Sequence, residues 1–316
     1  MILATCLAFY GFLVAVVAPR FLPRLTAAGT APRFGAAVWT LTAATAVGAW
    51  IGAAVAALFS LASWPGRVAD VLRSCLAALR PLGITAPWVA ALLAVPAVLV
   101  SVWLGWLMWR AARHWVHAHV HGKRHSRAIR LAGREAPELG AGTIVIETAD
   151  VAAYCVASPT RTVVVTRGAL DALDRDELAA VLAHEHAHLR GRHHLLLTAL
   201  RAMRRALPGA LLFQVAEVEV ARLLELCADD AAVKRHGTLP LVAALASMTS
   251  NPAPRGALGA AGASALARAL RLAEPPSRSQ STIRRAALGA TATGMILGPG
   301  LGLVAMGVTI CPVFFQ

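Results

Sequence analysis

Four long stretches of this chain carry no charged side chain, and they constrain its fold more than any other feature. Met1 to Pro19, Phe34 to Gly66, Pro81 to Trp109 and Ala286 to Gln316 are uncharged throughout. Each meets the length of about 20 residues that a helix needs to cross a hydrocarbon core. An α-helical membrane protein is expected, with spans at about 1–19, 35–62, 87–109 and 286–312. Charged residues make up 15% of the chain, where a soluble domain carries about a quarter. The first stretch lacks the basic leader of a signal peptide and reads as a retained helix.

The basic residues orient the spans. Arg20, Arg24 and Arg33 follow the first, and the segment 110–134 after the third is basic with no acid until Glu135. Arg284 and Arg285 precede the fourth. By the positive-inside rule the first loop and residues 110–285 face the cytoplasm, with both termini outside. The net charge of +14 is therefore a topology signal, with anionic lipid headgroups as the expected partner of segment 110–134. That segment has no recognisable nucleic-acid-binding fold, and no nucleic acid partner is expected. His114, His117, His121 and His125 share one face of it and read as interfacial side chains. The GxxxG patterns Gly48 to Gly52 and Gly294 to Gly298 reflect composition in spans rich in Gly and Ala. The five cysteines show no paired spacing and imply no disulfide framework.

Between the third and fourth spans the pattern changes to an α+β insert, about 111–274, followed by a linker at 275–285. Three β-branched runs, Thr143 to Glu147, Ala152 to Val156 and Thr162 to Thr166, predict a small antiparallel sheet. Asp174 with Glu177 forms a capping box that opens a helix. Further helices are expected from about His194 to Pro208 and from Leu212 to His236. The Pro-, Gly- and Ser-containing stretch from Asn251 to Ala263 reads as a loop.

The capped helix carries His184-Glu185-His186-Ala187-His188. Residues four apart stand nearly above one another on a helix, so His184 and His188 can face one ion. Glu185 can then reach a water beside it as general base. His186 points away and stays outside the ligand set. A catalytic zinc site needs a third protein ligand, and Glu225, which interrupts an apolar helical run, is the candidate. Asp229, one turn further along, is placed to orient a ligating histidine, with Asp230 as the competing choice. Without a metal, Glu225 and Asp229 would pair with arginines such as Arg222. His193 and His194, near the end of the motif helix, read as structural.

With H-E-x-x-H on one helix and E-x-x-A-D on a later one, the chain resembles the gluzincin membrane metallopeptidases. These include HtpX-like and CAAX-type proteases and the peptidase domains of beta-lactam sensor-transducers. The segment from Ala153 through "TRTVVVTRGALDALDRDELAAVLAHEHAH" is most similar to the last group, as is the order of spans and insert. The resemblance implies Zn2+ held by His184, His188 and Glu225, with Glu185 as catalytic base and Asp229 in support. It also implies proteolysis of a cytoplasmic regulator, such as a transcriptional repressor, or of the chain itself in signal transduction. Asn251 to Arg255 and Glu274 to Arg285 are the expected self-cleavage sites. Membrane protein quality control and a non-catalytic zinc receptor are the alternatives. An extended substrate would add to a sheet edge, with Thr162 to Thr166 one candidate strand. The chain stops at Gln316 without the extracellular penicillin-binding domain of the sensor-transducers. Direct acylation by a beta-lactam is therefore not the expected trigger; the spans, the loop 67–80 or a partner would sense.

Overall fold

A computed structural model of the chain describes residues 2–62, 88–156, 162–250 and 258–314. The loop 67–80 and the candidate cleavage stretch 251–255 lie outside the described residues. Helix α1 spans Ile2–Thr26 and α2 spans Pro32–Ala62. Their segments Leu3–Thr26 and Pro32–Phe59 are long and apolar enough to cross a membrane. Helix α1 runs through Pro19 and Pro23, past the expected end at Pro19. The far end is held from outside: Arg222 donates to the Thr26 carbonyl at 2.7 Å, and the Thr26 hydroxyl lies 3.1 Å from Glu219. Close approach of α1 and α2 falls at Gly11, where a Cβ would lie 2.6 Å from the Trp50 ring nitrogen. Gly48, by contrast, faces open space. The third expected span and the basic segment after it form one helix, α3, Trp88–Ala132.

The sheet contains β1 (Arg134–Glu135), β2 (Thr143–Ile146), β3 (Ala153–Val156) and β4 (Thr162–Thr166), in the order β1-β2-β4-β3. It is mixed, not antiparallel as expected: β2 pairs with β4 in parallel, while β1–β2 and β3–β4 are antiparallel. The reason is burial. All five residues of β4 are buried, so that strand takes the interior position. β3, which carries half-exposed Tyr154, turns back along its outer side and becomes the edge. The candidate edge strand Thr162 to Thr166 is thus corrected to β3. Two-residue β1, charged and exposed, has no apolar alternation by which sequence could reveal it.

Among the described residues seven helices follow: α4 (Arg167–Ala172), α5 (Arg175–Arg190), α6 (His193–Ala206), α7 (Leu211–His236), α8 (Thr238–Ser250), α9 (Leu258–Ala273) and α10 (Arg278–Phe314). Helix α5 opens on the predicted box. The Asp174 carboxylate accepts from the Glu177 amide at 2.8 Å, and Glu177 returns a bond to the Asp174 amide at 3.1 Å. A second box, unrecognised in the sequence, starts α10: Ser277 Oγ accepts from the Gln280 amide, and Gln280 accepts from the Ser277 amide, both at 3.3 Å. Residues 278–285, expected in a linker, are consequently the first turns of α10, and 258–263, expected in a loop, begin α9.

One apolar cluster joins the two ends of the molecule. Leu22 of α1 and Trp39 of α2 pack with Leu212, Phe213, Val220 and Leu223 of α7. Among the described residues Trp39 and Phe213 are the two largest fully buried side chains. Tyr10 donates to the Met295 carbonyl at 2.6 Å, bringing α10 back beside α1. The insert therefore shares its core with the helices before it. A separate cluster behind the sheet joins Val163, Val165, Val181 and Leu189 and anchors α5 to β4.

Candidate metal centre

Small residues let α5 and α7 approach. Ala180 and Ala183 of α5 pack in one cluster with Ala232 of α7, and Ala228 of α7 is fully buried. That contact brings Glu225 of α7 opposite the two histidines of α5. The Nε2 atoms of His184 and His188 are 3.1 Å apart, and each is 3.4 Å from a different Glu225 oxygen. Two ligands on a tetrahedral zinc, each about 2.0–2.1 Å away, lie about 3.3 Å from one another. The spacing of the two histidine nitrogens is close to that requirement, one ligand atom from each of the three residues lies within 4.8 Å of the others, and the donor set of two imidazoles and one carboxylate suits zinc. Among the described residues this is the one group of three such side chains with converging ligand atoms. The histidines of α3 do not join it.

The outer nitrogens also have close polar neighbours. His184 Nδ1 lies 3.0 Å from Oδ1 of fully buried Asp229. Asp230, the alternative, turns outward and accepts from Arg271 at 2.8 Å. His188 Nδ1 lies 2.9 Å from His193 Nδ1, a contact sequence reasoning missed. With Nε2 turned to a metal, His188 carries its proton on Nδ1 and donates it to His193, fixing the ring. The turn that delivers His193 needs Gly191: a Cβ there would fall 2.2 Å from His193 Nε2. Arg192 beside it takes the left-handed conformation, φ 51°.

Arg268 of α9 was missed as well. Its Nε donates to Asp229 at 2.8 Å, a second nitrogen reaches the other Asp229 oxygen at 2.5 Å, and Nη1 is 3.2 Å from Glu225. Arg222, the arginine considered from sequence, pairs instead with Glu219 at 2.9 Å. The legible signal was a match of patterns, Arg268 and Arg271 facing Asp229 and Asp230, but nothing in the sequence pairs those helices. His186 donates to the Leu182 carbonyl at 2.7 Å and stays outside the ligand group.

Charge is distributed unevenly over these groups. Burial disfavours a charged His184, yet Asp229 and Glu225 hold its proton and lift its pKa to about 9. Burial pushes His188 down to about 4, against the pull of Glu225. Burial also works against the ionised forms of Glu225 and Asp229. His184 beside Glu225, and Arg268 then His184 beside Asp229, nevertheless keep both carboxyls below the usual range. Glu185 is raised by burial. It accepts from the backbone and thiol of Cys155 on edge strand β3, and burial together with Glu185 pushes that thiol up to about 12. Ala153, His184, Glu185, Glu225 and Arg268 line a cleft of about 220 Å³.

Two histidines one helical turn apart, a glutamate from a second helix and a carboxylate behind the first histidine form a group that could hold a metal ion. Residues 114–255 match the family model for Peptidase family M48, which supports a gluzincin peptidase. Arg268 lies beyond the matched residues. No curated protein and no solved structure gives a significant match.

Proposed function

We propose that this protein is a membrane-embedded zinc endopeptidase that cleaves peptides on the cytoplasmic side, with Glu185 as its base. The observation that carries the reading is the convergence of His184, His188 and Glu225 with Glu185 on the cleft wall. Zinc, when bound, polarises a carbonyl and acidifies water. An extended substrate would lie along β3, whose outer edge has no neighbouring strand among the described residues. Glu185 would take a proton from the attacking water and return it to the leaving amine. The burial that raises Glu185 strengthens it as a base.

Membrane placement is supported by the apolar faces that α1 to α3 leave uncovered. Phe9, Phe12, Val55, Phe59 and Trp103 are all more than half exposed, a surface that suits lipid and not water. Both termini would lie outside and the metal centre inside, by the arginine distribution. The likeness of the segment before the motif to the sensor-transducers favours a cytoplasmic regulator, or the chain itself, as substrate over general quality control. A structural zinc without catalysis is disfavoured by Glu185 standing in the cleft beside the ligand group.

The deciding experiment compares new protein N-termini in cells carrying the wild type or Glu185→Gln. The variant should retain zinc by elemental analysis and lose cleavage by about 10²–10⁴-fold. One regulator or the chain's own 274–285 stretch among the products supports signalling; many membrane proteins support quality control. Cleavage undiminished in the variant would overturn the role of Glu185.

A further inference from the structure

A cavity of about 810 Å³ lies on the side of α5 that faces α2, separate from the cleft in which Glu185 stands. One wall is a single face of α2: Arg33, Ala36, Ala37, Thr40, Leu41 and Ala44, spaced as neighbours on a helix surface are. The three alanines create the room. Opposite stand Ala187 and Arg190 of α5 and Leu224 and Cys227 of α7, with His193 at the back. The volume is that of a small-molecule site and the lining is mostly apolar.

Two features say what would fill it. Ala37 and Ala44 are exposed, so the cavity opens along a helix long and apolar enough to cross a membrane. Arg33 and Arg190 both line it, neither has an acidic partner among the described residues, and no lining residue is an acid. Arg33 stands one residue inside the end of the candidate span Pro32–Phe59, and with that span across a bilayer it would lie at the depth of the headgroup phosphates. A ligand complementary to this arrangement has an apolar chain and an anionic head.

We propose that the cavity binds one anionic phospholipid, its phosphate between Arg33 and Arg190 and an acyl chain along Ala37, Leu41 and Ala44. The site rests on α2 spanning the membrane, and it makes no use of Glu185 or of proteolysis. It reaches His193, whose Nδ1 lies 2.9 Å from His188, so the lipid would sit one side chain from the candidate metal ligands.

The test is native mass spectrometry of the purified full chain in detergent, titrated with phosphatidylglycerol, phosphatidylcholine or inorganic phosphate. One phosphatidylglycerol should be retained, about tenfold more tightly than phosphatidylcholine. The pair Arg33→Gln and Arg190→Gln should remove that preference, and Ala37→Phe should reduce retention of both lipids. Arg235→Gln, at an exposed basic position outside segment 110–134 and outside the cavity, is the control, and circular dichroism checks the fold of each variant. Equal retention of both lipids, or a preference unchanged by the arginine pair, overturns the site. Displacement by inorganic phosphate overturns its assignment to lipid. Alkaline carbonate extraction of cell membranes tests the span separately: a chain released by it refutes the membrane reading, whatever the lipid titration shows.

Discussion

At the scale of single residues, the outer nitrogens of the two histidines carry the most testable chemistry. Gly191 is required for space, since a Cβ would collide with the His193 ring that meets His188. Groups that orient a metal-ligating histidine typically contribute 10–100-fold to affinity. Gly191→Ala and His193→Ala should each weaken zinc binding by about tenfold, read by competition with a chromogenic chelator. Unchanged affinity in both would show that His188 needs no such partner. His184 makes a prediction in pH. Its pKa of about 9 means that it is protonated at neutral pH, and a protonated nitrogen cannot ligate. Zinc uptake near pH 7 should release about one proton, and apparent affinity should rise about tenfold per pH unit until pH 9. Calorimetry in buffers of different ionisation enthalpy measures the release. The sign for folding is the reverse: the raised pKa stabilises the metal-free fold below about pH 6.5 and is lost as pH rises through about 9.

At the scale of elements, α9 matters more than its composition suggests. It lies beyond the residues that match the peptidase family, yet its Arg268 is the strongest partner of Asp229, whose side chain is fully buried. Removing one member of a buried ion pair typically costs about 3–5 kcal/mol, because the other charge is left unpaired. Here His184 still faces Asp229, so Arg268→Gln should cost about 3 kcal/mol, the lower end of that range. Thermal melting of the purified chain measures it, and a midpoint equal to the wild type would mean that α9 only rests against the site. The capping boxes make the complementary point about legibility. Asp174 with Glu177 stood before a long periodic helix and was readable. Ser277 with Gln280 sat in a stretch whose prolines and serines looked like a linker, although the same chemistry starts α10 there.

At the scale of the molecule, the shared core predicts that the peptidase part does not fold alone. Leu212, Phe213, Val220 and Leu223 of α7 are buried against Leu22 and Trp39, which belong to α1 and α2. Arg222 and Arg271 further clasp the turn between those helices through the carbonyls of Thr26 and Gly29, at 2.7 and 3.1 Å. A fragment of residues 111–274 would expose this face to water. It should aggregate or digest rapidly under limited proteolysis, while the full chain in detergent resists. A monomeric fragment with dispersed amide resonances would show instead that the core divides between two independent units.

The sequence by itself determined what local rules can reach. Charge-free length marked the apolar helices, i to i+4 spacing put His184 and His188 on one face, and β-branched runs located β2, β3 and β4. Those are short-range properties, set by 3.6-residue and 2-residue periodicity and by the absence of charge. Tertiary structure decided everything that depends on which elements meet. It placed β4 inside the sheet and β3 at its edge, because the most apolar strand gains most from two neighbours. It separated Asp229 from Asp230, adjacent in sequence but 100° apart around α7, so that one faces His184 and the other Arg271. It brought Arg268 and His193 behind the ligand group and Trp39 against Phe213. Such pairings connect residues far apart in the chain, and their stability depends on complementary shape and charge that neither segment displays alone.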